Sequence, residues 1–261
     1  MAMLISINGK FVDEKQACIS VTSNAFLYGQ AVFETIRTFN RKVFRLDDHL
    51  GRLYISADVM EIKPKWTLKK TYAEVVKVLE KTTWLNIKVR VILTKTDLII
   101  IAEKLNEKPK DMYEKGVALV SFPGKRNMPR AKNLASAFTY AAKQHATRSG
   151  AYEAILIDSK GYVRECAYAN IFWVQDGELY TTNKDILFGI TRETVIDLVG
   201  KCNFTGIKLK SLVSADEVFI TQTTSGIIPV VKIDGQPIGS GRPGKVTKEI
   251  MKKFSDLVWG K

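Results

Sequence analysis

Residues 32–57 combine a hairpin pattern with a helical pattern, and they read Val32-Phe-Glu-Thr-Ile-Arg-Thr-Phe-Asn-Arg-Lys-Val-Phe-Arg-Leu-Asp-Asp-His-Leu-Gly-Arg-Leu-Tyr-Ile-Ser-Ala57. Aromatic and β-branched side chains dominate the first part, which predicts a strand over Val32–Phe39 that returns as Val43–Arg45. Leucines then recur at helical spacing behind an acidic start at Asp47-Asp48. A hairpin followed directly by an amphipathic helix predicts mixed α and β structure.

The same patterns continue on both sides of this stretch. An Asn8-Gly9 turn predicts a hairpin between Met3–Ile7 and Phe11-Val12. The other helices are predicted at Thr67–Lys81, Lys132–Ser149, Thr191–Lys201 and Val246–Trp259. The other strands are predicted at Lys88–Leu93, Leu98–Ala102, Val117–Phe122, Glu153–Asp158, Tyr162–Cys166, Asn170–Val174, Glu217–Thr221 and Val230–Ile233.

A segment rich in turn formers and charge, Pro123–Arg130, separates the two halves of the pattern. We therefore expect an α+β fold with two domains. The small N-terminal domain would span residues 1–120, a linker residues 121–130, and a larger β-rich domain residues 131–261.

Composition excludes several functional classes. The 261 residues are 46% hydrophobic and 26% charged, as in an average globular protein. The net charge is +13, but the basic residues are spread along the chain, so no nucleic-acid partner is predicted. No apolar run approaches the roughly 20 residues of a membrane span, and we recognise no signal peptide. Three scattered cysteines predict neither disulfides nor zinc, and we expect a cytoplasmic protein.

Three motifs have both a chemical and a purely structural interpretation. Gly239–Val246 resembles a phosphate-binding P-loop, but valine replaces the hydroxyl residue that holds magnesium, so a surface turn is favoured. The two histidines, His49 and His145, are interpreted as helix-surface or capping residues rather than catalysts. The turn Phe188–Thr191 could bind an anion with the first amides of a helix or could be an ordinary N-cap.

Several sequence segments, taken together in their order along the chain, resemble the class IV aminotransferases, the fold-type IV enzymes that use pyridoxal 5′-phosphate (PLP). The pieces are Phe26–Arg37, Phe44–Ala57, Ala131-Lys132, Gly150–Asp158, Gly161–Glu165, Asn170–Phe172, Ile186–Arg192 and Thr223–Val230. They cover essentially the whole chain. The family includes branched-chain aminotransferases, D-amino acid aminotransferases and aminodeoxychorismate lyases, and it is generally homodimeric.

The resemblance assigns roles to individual residues. It implies that Lys132 is the catalytic lysine that bonds the cofactor, that Glu165 faces the pyridine nitrogen, and that Arg52 pairs with the phosphate. Further cofactor contacts are implied for Leu187, on the ring face, and for Ile190, Thr191, Thr223 and Thr224, around the phosphate. No metal is implied.

Substrate recognition departs from the family pattern. Relatives usually insert an Arg-Gly-containing loop after the strand that ends at Leu93, and this loop is nearly absent here. Tyr28, Phe33 and Arg90 occupy positions that line the substrate pocket in relatives, although packing or ion pairing would explain them equally well.

The resemblance implies a PLP-dependent aminotransferase, with the cofactor in an interdomain cleft. It would exchange the amino group between a hydrophobic, branched-chain-like amino acid and a 2-keto acid. The alternatives are an aminodeoxychorismate lyase, which expels pyruvate, and a D-amino acid aminotransferase. A cofactor-free scaffold protein is disfavoured because Lys132, Glu165 and Arg52 are all present.

Overall fold

The computed structural model describes residues 3–260, which form two compact units. Unit 1 contains the described residues up to Asn106 together with Arg130–Ser136. Unit 2 contains Glu107–Pro129 and the chain from Ala137 onward. The segment that carries Lys132 therefore belongs to unit 1, although it is flanked in the sequence by residues of unit 2.

Unit 1 contains an antiparallel six-stranded sheet in the order β2-β1-β6-β5-β3-β4. Its strands are β1 (Met3–Ile7), β2 (Lys10–Val12), β3 (Val32–Phe39), β4 (Lys42–Val43), β5 (Ile87–Leu93) and β6 (Leu98–Lys104). Its helices are a 3-10 turn (Glu14–Gln16), α1 (Asn24–Tyr28), α2 (Leu46–Val59) and α3 (Leu68–Glu80). Both sequence-predicted hairpins and both long helices are confirmed.

Strand alternation builds the core of unit 1. Every second residue of β5, from Ile87 to Leu93, is buried, and these side chains pack with the leucines of α2 and the valines of α3. Leu50 and Leu53 have no exposed surface, and burying a leucine contributes about 1.5–3 kcal/mol. The opposite face of β5 remains available for polar side chains such as Arg90.

Unit 2 is built on a nine-stranded mixed sheet in the order β12-β11-β10-β13-β14-β7-β8-β9, with β15 beside β14. The strands are β7 (Val117–Pro123), β8 (Glu153–Ile157), β9 (Val163–Cys166), β10 (Asn170–Gln175), β11 (Glu178–Thr181), β12 (Asn203–Phe204), β13 (Glu217–Gln222), β14 (Gly226–Ile233) and β15 (Gln236–Pro237). The helices are α4 (Asp111–Glu114), α5 (Ala137–Arg148), α6 (Ile190–Val199), α7 (Leu209–Val213) and α8 (Lys245–Trp259).

The two faces of β10 and β13 bury different sets of side chains. One face contributes the apolar core residues Ile171, Trp173, Val218 and Ile220. On the other face Phe172 stacks on Phe219 with the ring centroids 4.9 Å apart. Directly paired residues share a face of an antiparallel sheet, so Asn170 and its partner Thr221 belong to this second face. They lie at one end of this face, next to the stacked rings of Phe172 and Phe219.

One predicted helix begins later than expected. Helical structure was predicted over Lys132–Ser149, but α5 begins at Ala137. The preceding backbone is not helical, because Phe33 donates to the carbonyl of Lys132 and Leu134 donates to the carbonyl of Ala31, at 2.9 Å each. Tertiary pairing thus overrides the helical periodicity. No helix within residues 3–260 has the length and apolar character needed to span a bilayer.

Candidate active site

The backbone of Lys132 is held on two sides by unit 1. Its carbonyl accepts from the amide of Phe33 at 2.9 Å, next to an isolated bridge between Val32 and Asn133. Its amide donates to Ser56 Oγ at 3.1 Å, and Ser56 is fully buried on α2. The lysine therefore lies on a non-helical segment whose backbone is hydrogen-bonded to both a strand and a helix.

Three residues predicted for catalysis and substrate binding meet at one aromatic ring. The ring of Phe33 is 8% exposed, and its centroid lies 4.8 Å from Lys132 Nζ and 4.3 Å from Arg90 Cζ. Cations within about 6 Å of an aromatic face are attracted to it electrostatically. Arg90 reaches this ring because β5 pairs with β3, where Arg90 lies opposite Thr35.

A buried ionic cluster orients Arg52. The carboxylate of Glu34 accepts from Arg52 Nε and Nη2 at 2.7 Å each and contacts His49 Nδ1 at 2.8 Å. Burial raises the pKa of Glu34, but Arg52 and His49 outweigh burial and bring this pKa to about 2. Burial also lowers the pKa of His49, so the neutral ring donates its Nδ1 proton to Glu34.

The expectation that His49 is a helix-surface or capping residue is wrong, because its side chain is 1% exposed and contacts Glu34. His49, Arg52 and Ser56 recur at helical spacing and form one polar stripe on the buried side of α2. That spacing is readable in the sequence, but only the partner Glu34 on β3 explains why the stripe is polar. His145 lies in the last turn of α5, 5.4 Å from the ring of Phe122.

Tyr28 is placed on the surface of unit 1. It ends the short helix α1, and Gly29 closes that helix in the left-handed conformation at φ 65°. The Tyr28 side chain is 73% exposed. Its predicted role in the substrate pocket stays a prediction.

In unit 2, Glu165 and Leu187 are linked directly. Glu165 lies on β9 and is 2% exposed; its Oε2 accepts from the amide of Leu187 at 3.2 Å. Its Oε1 accepts from Arg126 Nε at 3.1 Å. Arg126 was not singled out in the sequence, where it is one of many basic residues.

The predicted phosphate-binding turn begins α6. Gly189 is the N-cap and provides no side-chain cap, while Ile190 and Thr191 are buried in the first turn. Within residues 3–260 the amides of Ile190 and Thr191 meet no hydrogen-bond acceptor. Unsatisfied first-turn amides and the helix dipole together favour an anion.

Thr223 and Thr224 lie in the turn that joins β13 to β14, where Ser225 donates to the carbonyl of Gln222 at 3.3 Å. Just before this turn, the hydroxyl of Thr221 is buried without a hydrogen-bond partner in the described chain. A buried orphan hydroxyl is rare in native proteins and indicates a missing polar partner.

Similar proteins identify the family of this chain. The family Amino-transferase class IV matches residues 31–233. The chain belongs to the class IV aminotransferases. It is 35% identical to a Methanocaldococcus jannaschii protein that provisionally carries the name branched-chain-amino-acid aminotransferase, over 99% of this chain and 98% of the relative. It is 30% identical to D-alanine aminotransferase from Bacillus licheniformis, over 98% of this chain and 97% of that enzyme.

A solved structure extends the similarity to the fold. The T.th. branched-chain amino acid aminotransferase with pyridoxamine 5′-phosphate superposes with a TM-score of 0.92 at 29% identity, covering 98% of this chain and 94% of that one. The sequence prediction of a fold-type IV enzyme of the PLP-dependent transaminase class is thus confirmed. The individual site residues stay predictions.

The residues present also fit a phosphorylated pyridine cofactor. The α6 amides, the orphan Thr221 hydroxyl and the buried carboxylate of Glu165 belong to unit 2 and suit a phosphate and a ring nitrogen. Unit 1 contains an amine, Lys132, and a guanidinium cation, Arg52, which are the kinds of group that bond the aldehyde and the phosphate of such a cofactor.

Proposed function

We propose that this class IV aminotransferase exchanges the amino group between a hydrophobic, branched-chain-like amino acid and a 2-keto acid. The observation that carries the proposal is the packing of Lys132 and Arg90 against the same ring of Phe33. An amine that removes a proton and a guanidinium that binds a carboxylate are thereby held on one short structural unit. An α-amino acid carries both target groups on one carbon.

The residues divide the work of holding the cofactor. Arg52, Ile190, Thr191, Thr223 and Thr224 would bind the phosphate, Leu187 would pack on the ring, and Glu165 would keep the ring nitrogen protonated. PLP, when bound, supplies an electron sink for the bond that breaks at the amino acid's α-carbon. Lys132 Nζ then removes the α-proton, which requires its amine to be neutral at that moment.

The short connection after Leu93 supports a hydrophobic substrate. Thr94–Asp97 forms a tight turn in which Thr94 and Asp97 bond each other, so no arginine extends from this hairpin. The substrate α-carboxylate would instead be bound by Arg90, with Tyr28 and the turn at Thr223–Ser225 as further contacts. Buried apolar side chains such as Phe33 leave little compensation for a charged substrate side chain.

An exposed apolar surface supports a homodimer. Phe26, Leu27 and Tyr28 on α1 are 59%, 52% and 73% exposed. Apolar patches of this kind commonly mark protein interfaces. Light scattering after size-exclusion chromatography should give twice the chain mass, and Phe26→Lys should shift it toward the monomer. We further propose a cytoplasmic protein with neither a nucleic-acid nor a membrane partner.

The central experiment is reduction of the PLP-loaded protein with borohydride followed by peptide mapping. The label should be on Lys132, because reduction makes the lysine–cofactor bond stable. Lys132→Ala should abolish transamination, whereas Lys160→Ala, at an exposed turn, should retain it. Labelling of another lysine would refute the assignment.

A donor screen tests the substrate. We expect hydrophobic L-amino acids with a keto-acid acceptor to be the best pair and D-alanine to be poor. The Bacillus licheniformis relative makes D-alanine the second candidate. D-alanine as the best donor would establish that alternative, and pyruvate release from aminodeoxychorismate without transamination would establish a lyase.

A further inference from the structure

We infer that Asn170 is a positioning residue that holds the ring-facing and phosphate-facing parts of unit 2 in one arrangement. Nothing in the family resemblance assigns it a role. The inference rests on the proposed function, since the residues that it contacts are those proposed to bind PLP.

Asn170 closes a ring of hydrogen bonds with Glu165 and Leu187. Its Nδ2 donates to the carbonyl of Leu187 at 2.8 Å and approaches Glu165 Oε2 at 3.5 Å. The amide of Leu187 donates to the same Glu165 oxygen at 3.2 Å. Both polar groups of Leu187 are therefore tied, one to the asparagine and one to the carboxylate. This fixes Leu187 relative to Glu165.

The other end of the same side chain lies against the start of α6. A Cβ placed on Gly189 would overlap Asn170 Oδ1. Gly189 has an ordinary extended conformation, with φ −75° and ψ 135°, so its backbone conformation does not require glycine. Glycine is required instead because any larger residue would collide with the Asn170 side chain. Asn170 thus sets how closely the α6 N-cap approaches the sheet, and with it the place of the Ile190 and Thr191 amides.

The Asn170 side chain is buried beside aromatic rings, so its amide depends on the hydrogen bonds that it makes. Asn170 is 6% exposed, and along the same face of the sheet the next residues are the stacked rings of Phe172 and Phe219. Burying an amide there is costly unless it is hydrogen-bonded. The hydrogen bonds that offset the cost of burial go to Glu165 and to the carbonyl of Leu187. The residue paired with Asn170 on the neighbouring strand is Thr221, whose hydroxyl has no partner in the described chain.

The isosteric variant Asn170→Asp provides the sharpest test, because it keeps the volume but places an oxygen where Nδ2 donates. That oxygen would face the Leu187 carbonyl and Glu165, so both contacts become repulsive. Asn170→Ser keeps a donor on a shorter side chain and should lie between Asn170→Asp and the wild type. Thr181→Val is the matched control, since it removes another buried hydrogen bond, to the carbonyl of Ile171 at 2.8 Å, on the neighbouring strand.

Apoprotein of each variant would be titrated with PLP, and the visible absorption of the bound cofactor would be followed against pH. We expect Asn170→Asp to weaken PLP binding by about tenfold or more and to change the pH at which the visible absorption of the bound cofactor shifts. Asn170→Ser should show smaller changes in both quantities. Thr181→Val should lower the melting temperature while PLP affinity and spectrum remain those of the wild type. A positioning role requires that the spectral change exceed the one caused by Thr181→Val.

The outcomes separate this inference from the proposed function. If wild-type protein binds PLP through Lys132 but both Asn170 variants bind it with unchanged affinity and spectrum, the positioning role is wrong. If the wild type itself does not bind PLP, the proposed function fails first. Should Asn170→Asp not fold, the Asn170→Ser and Thr181→Val pair still decides the question.

Discussion

Two helices of unit 2 begin at a glycine, and their first turns are satisfied in opposite ways. At α8, after Gly244, the carboxylate of Glu217 accepts from the amides of Val246 and Thr247 at 3.0 and 2.7 Å. It also accepts from the hydroxyl of Thr247 at 2.6 Å. At α6, after Gly189, the described chain supplies no acceptor to the first amides. One helix start contains its own anion and the other does not.

This difference shows that a glycine-led turn does not by itself make an anion site. The P-loop-like sequence before α8 is the closer match to a phosphate-binding motif, yet its amides are taken by Glu217 at the start of β13. The far end of the same strand carries Thr221, whose hydroxyl has no partner in the described residues. The capacity to bind an external anion is therefore set by the side chains that the sheet places opposite each helix.

The largest expected effect comes from removing the internal anion. Glu217→Ala would leave the first α8 amides and the Thr247 hydroxyl without their charged acceptor. Hydrogen bonds to charged groups contribute about 1.5–3 kcal/mol each and are not additive, so we expect a loss of roughly 3 kcal/mol in unfolding free energy. Denaturant unfolding would measure it, with the exposed Glu249→Ala on α8 as control. The PLP affinity of the folded protein should be unchanged. A large drop in PLP affinity would contradict the prediction that the start of α8 is independent of cofactor binding.

A similar internal pairing in unit 1 predicts acid sensitivity. The pKa of Glu34 falls from 4.5 to about 2 on folding, so ionised Glu34 stabilises the fold above pH 4.5. This stabilisation, about 3 kcal/mol, is lost as the pH falls from 4.5 towards 2. The lowered pKa of His49 acts in the same direction below its ordinary 6.5, because the unfolded chain then takes up the proton.

Unfolding free energy measured against pH would test this prediction. Glu34→Gln should be less stable at neutral pH and should show a flatter decline below pH 4.5 than the wild type. Equal acid slopes in both proteins would show that Glu34 is not the titrating group.

Alanine at each of the two helix-start glycines should affect a different property: PLP binding at Gly189 and thermal stability at Gly244. Gly189→Ala would press against Asn170 Oδ1 and should weaken PLP binding by about tenfold, the loss of roughly one charge-assisted hydrogen bond. Gly244→Ala would press against the Glu217 carboxylate and should lower the melting temperature without weakening PLP binding. PLP titrations and thermal melts of both variants would measure these effects. Equal changes in PLP affinity and in melting temperature for the two variants would show that the starts of α6 and α8 do not differ in function.

The smallest effect is expected at Thr191. Thr191→Val removes the hydroxyl and keeps the backbone amide that the proposed phosphate contact uses. Because the amide rather than the hydroxyl makes the proposed contact, PLP affinity should fall by only a few-fold, less than the roughly tenfold expected for the loss of a charge-assisted hydrogen bond. A loss of PLP affinity as large as that expected for Gly189→Ala would mean that the side chain, not the helix start, makes the main contact.

Local patterns predicted most of the long elements, because each depends on residues adjacent in the chain. Strand β3 follows from its aromatic and β-branched residues, and helices α2 and α3 follow from helical spacing. The late start of α5 could not be predicted this way, because it depends on pairing with residues a hundred positions earlier. For the same reason the expected start at Lys132 was wrong.

For the candidate site, the sequence indicates which residues are candidates more readily than it indicates what those residues contact. The family resemblance names Lys132 and Glu165 as site residues, which stays a prediction, but it gives no sign of their partners Ser56 and Arg126, which lie far away in sequence. His49 was assigned to the surface because a lone histidine on a helix gives no sign of a buried carboxylate opposite it. Long-range contacts, not local propensity, decide these cases.

The segment Arg130–Ser136 makes unit 1 discontinuous, and this has a consequence for synthesis on the ribosome. When Asn106 has emerged, the sheet of unit 1 is complete, but Ala31 and Phe33 still lack their backbone partners at Leu134 and Lys132. Those partners arrive only after residues 107–129, which belong to the other unit. The growing chain must therefore keep a vacant edge beside β3 until Lys132 itself is translated, and insertion of this lysine becomes one of the last steps in completing unit 1.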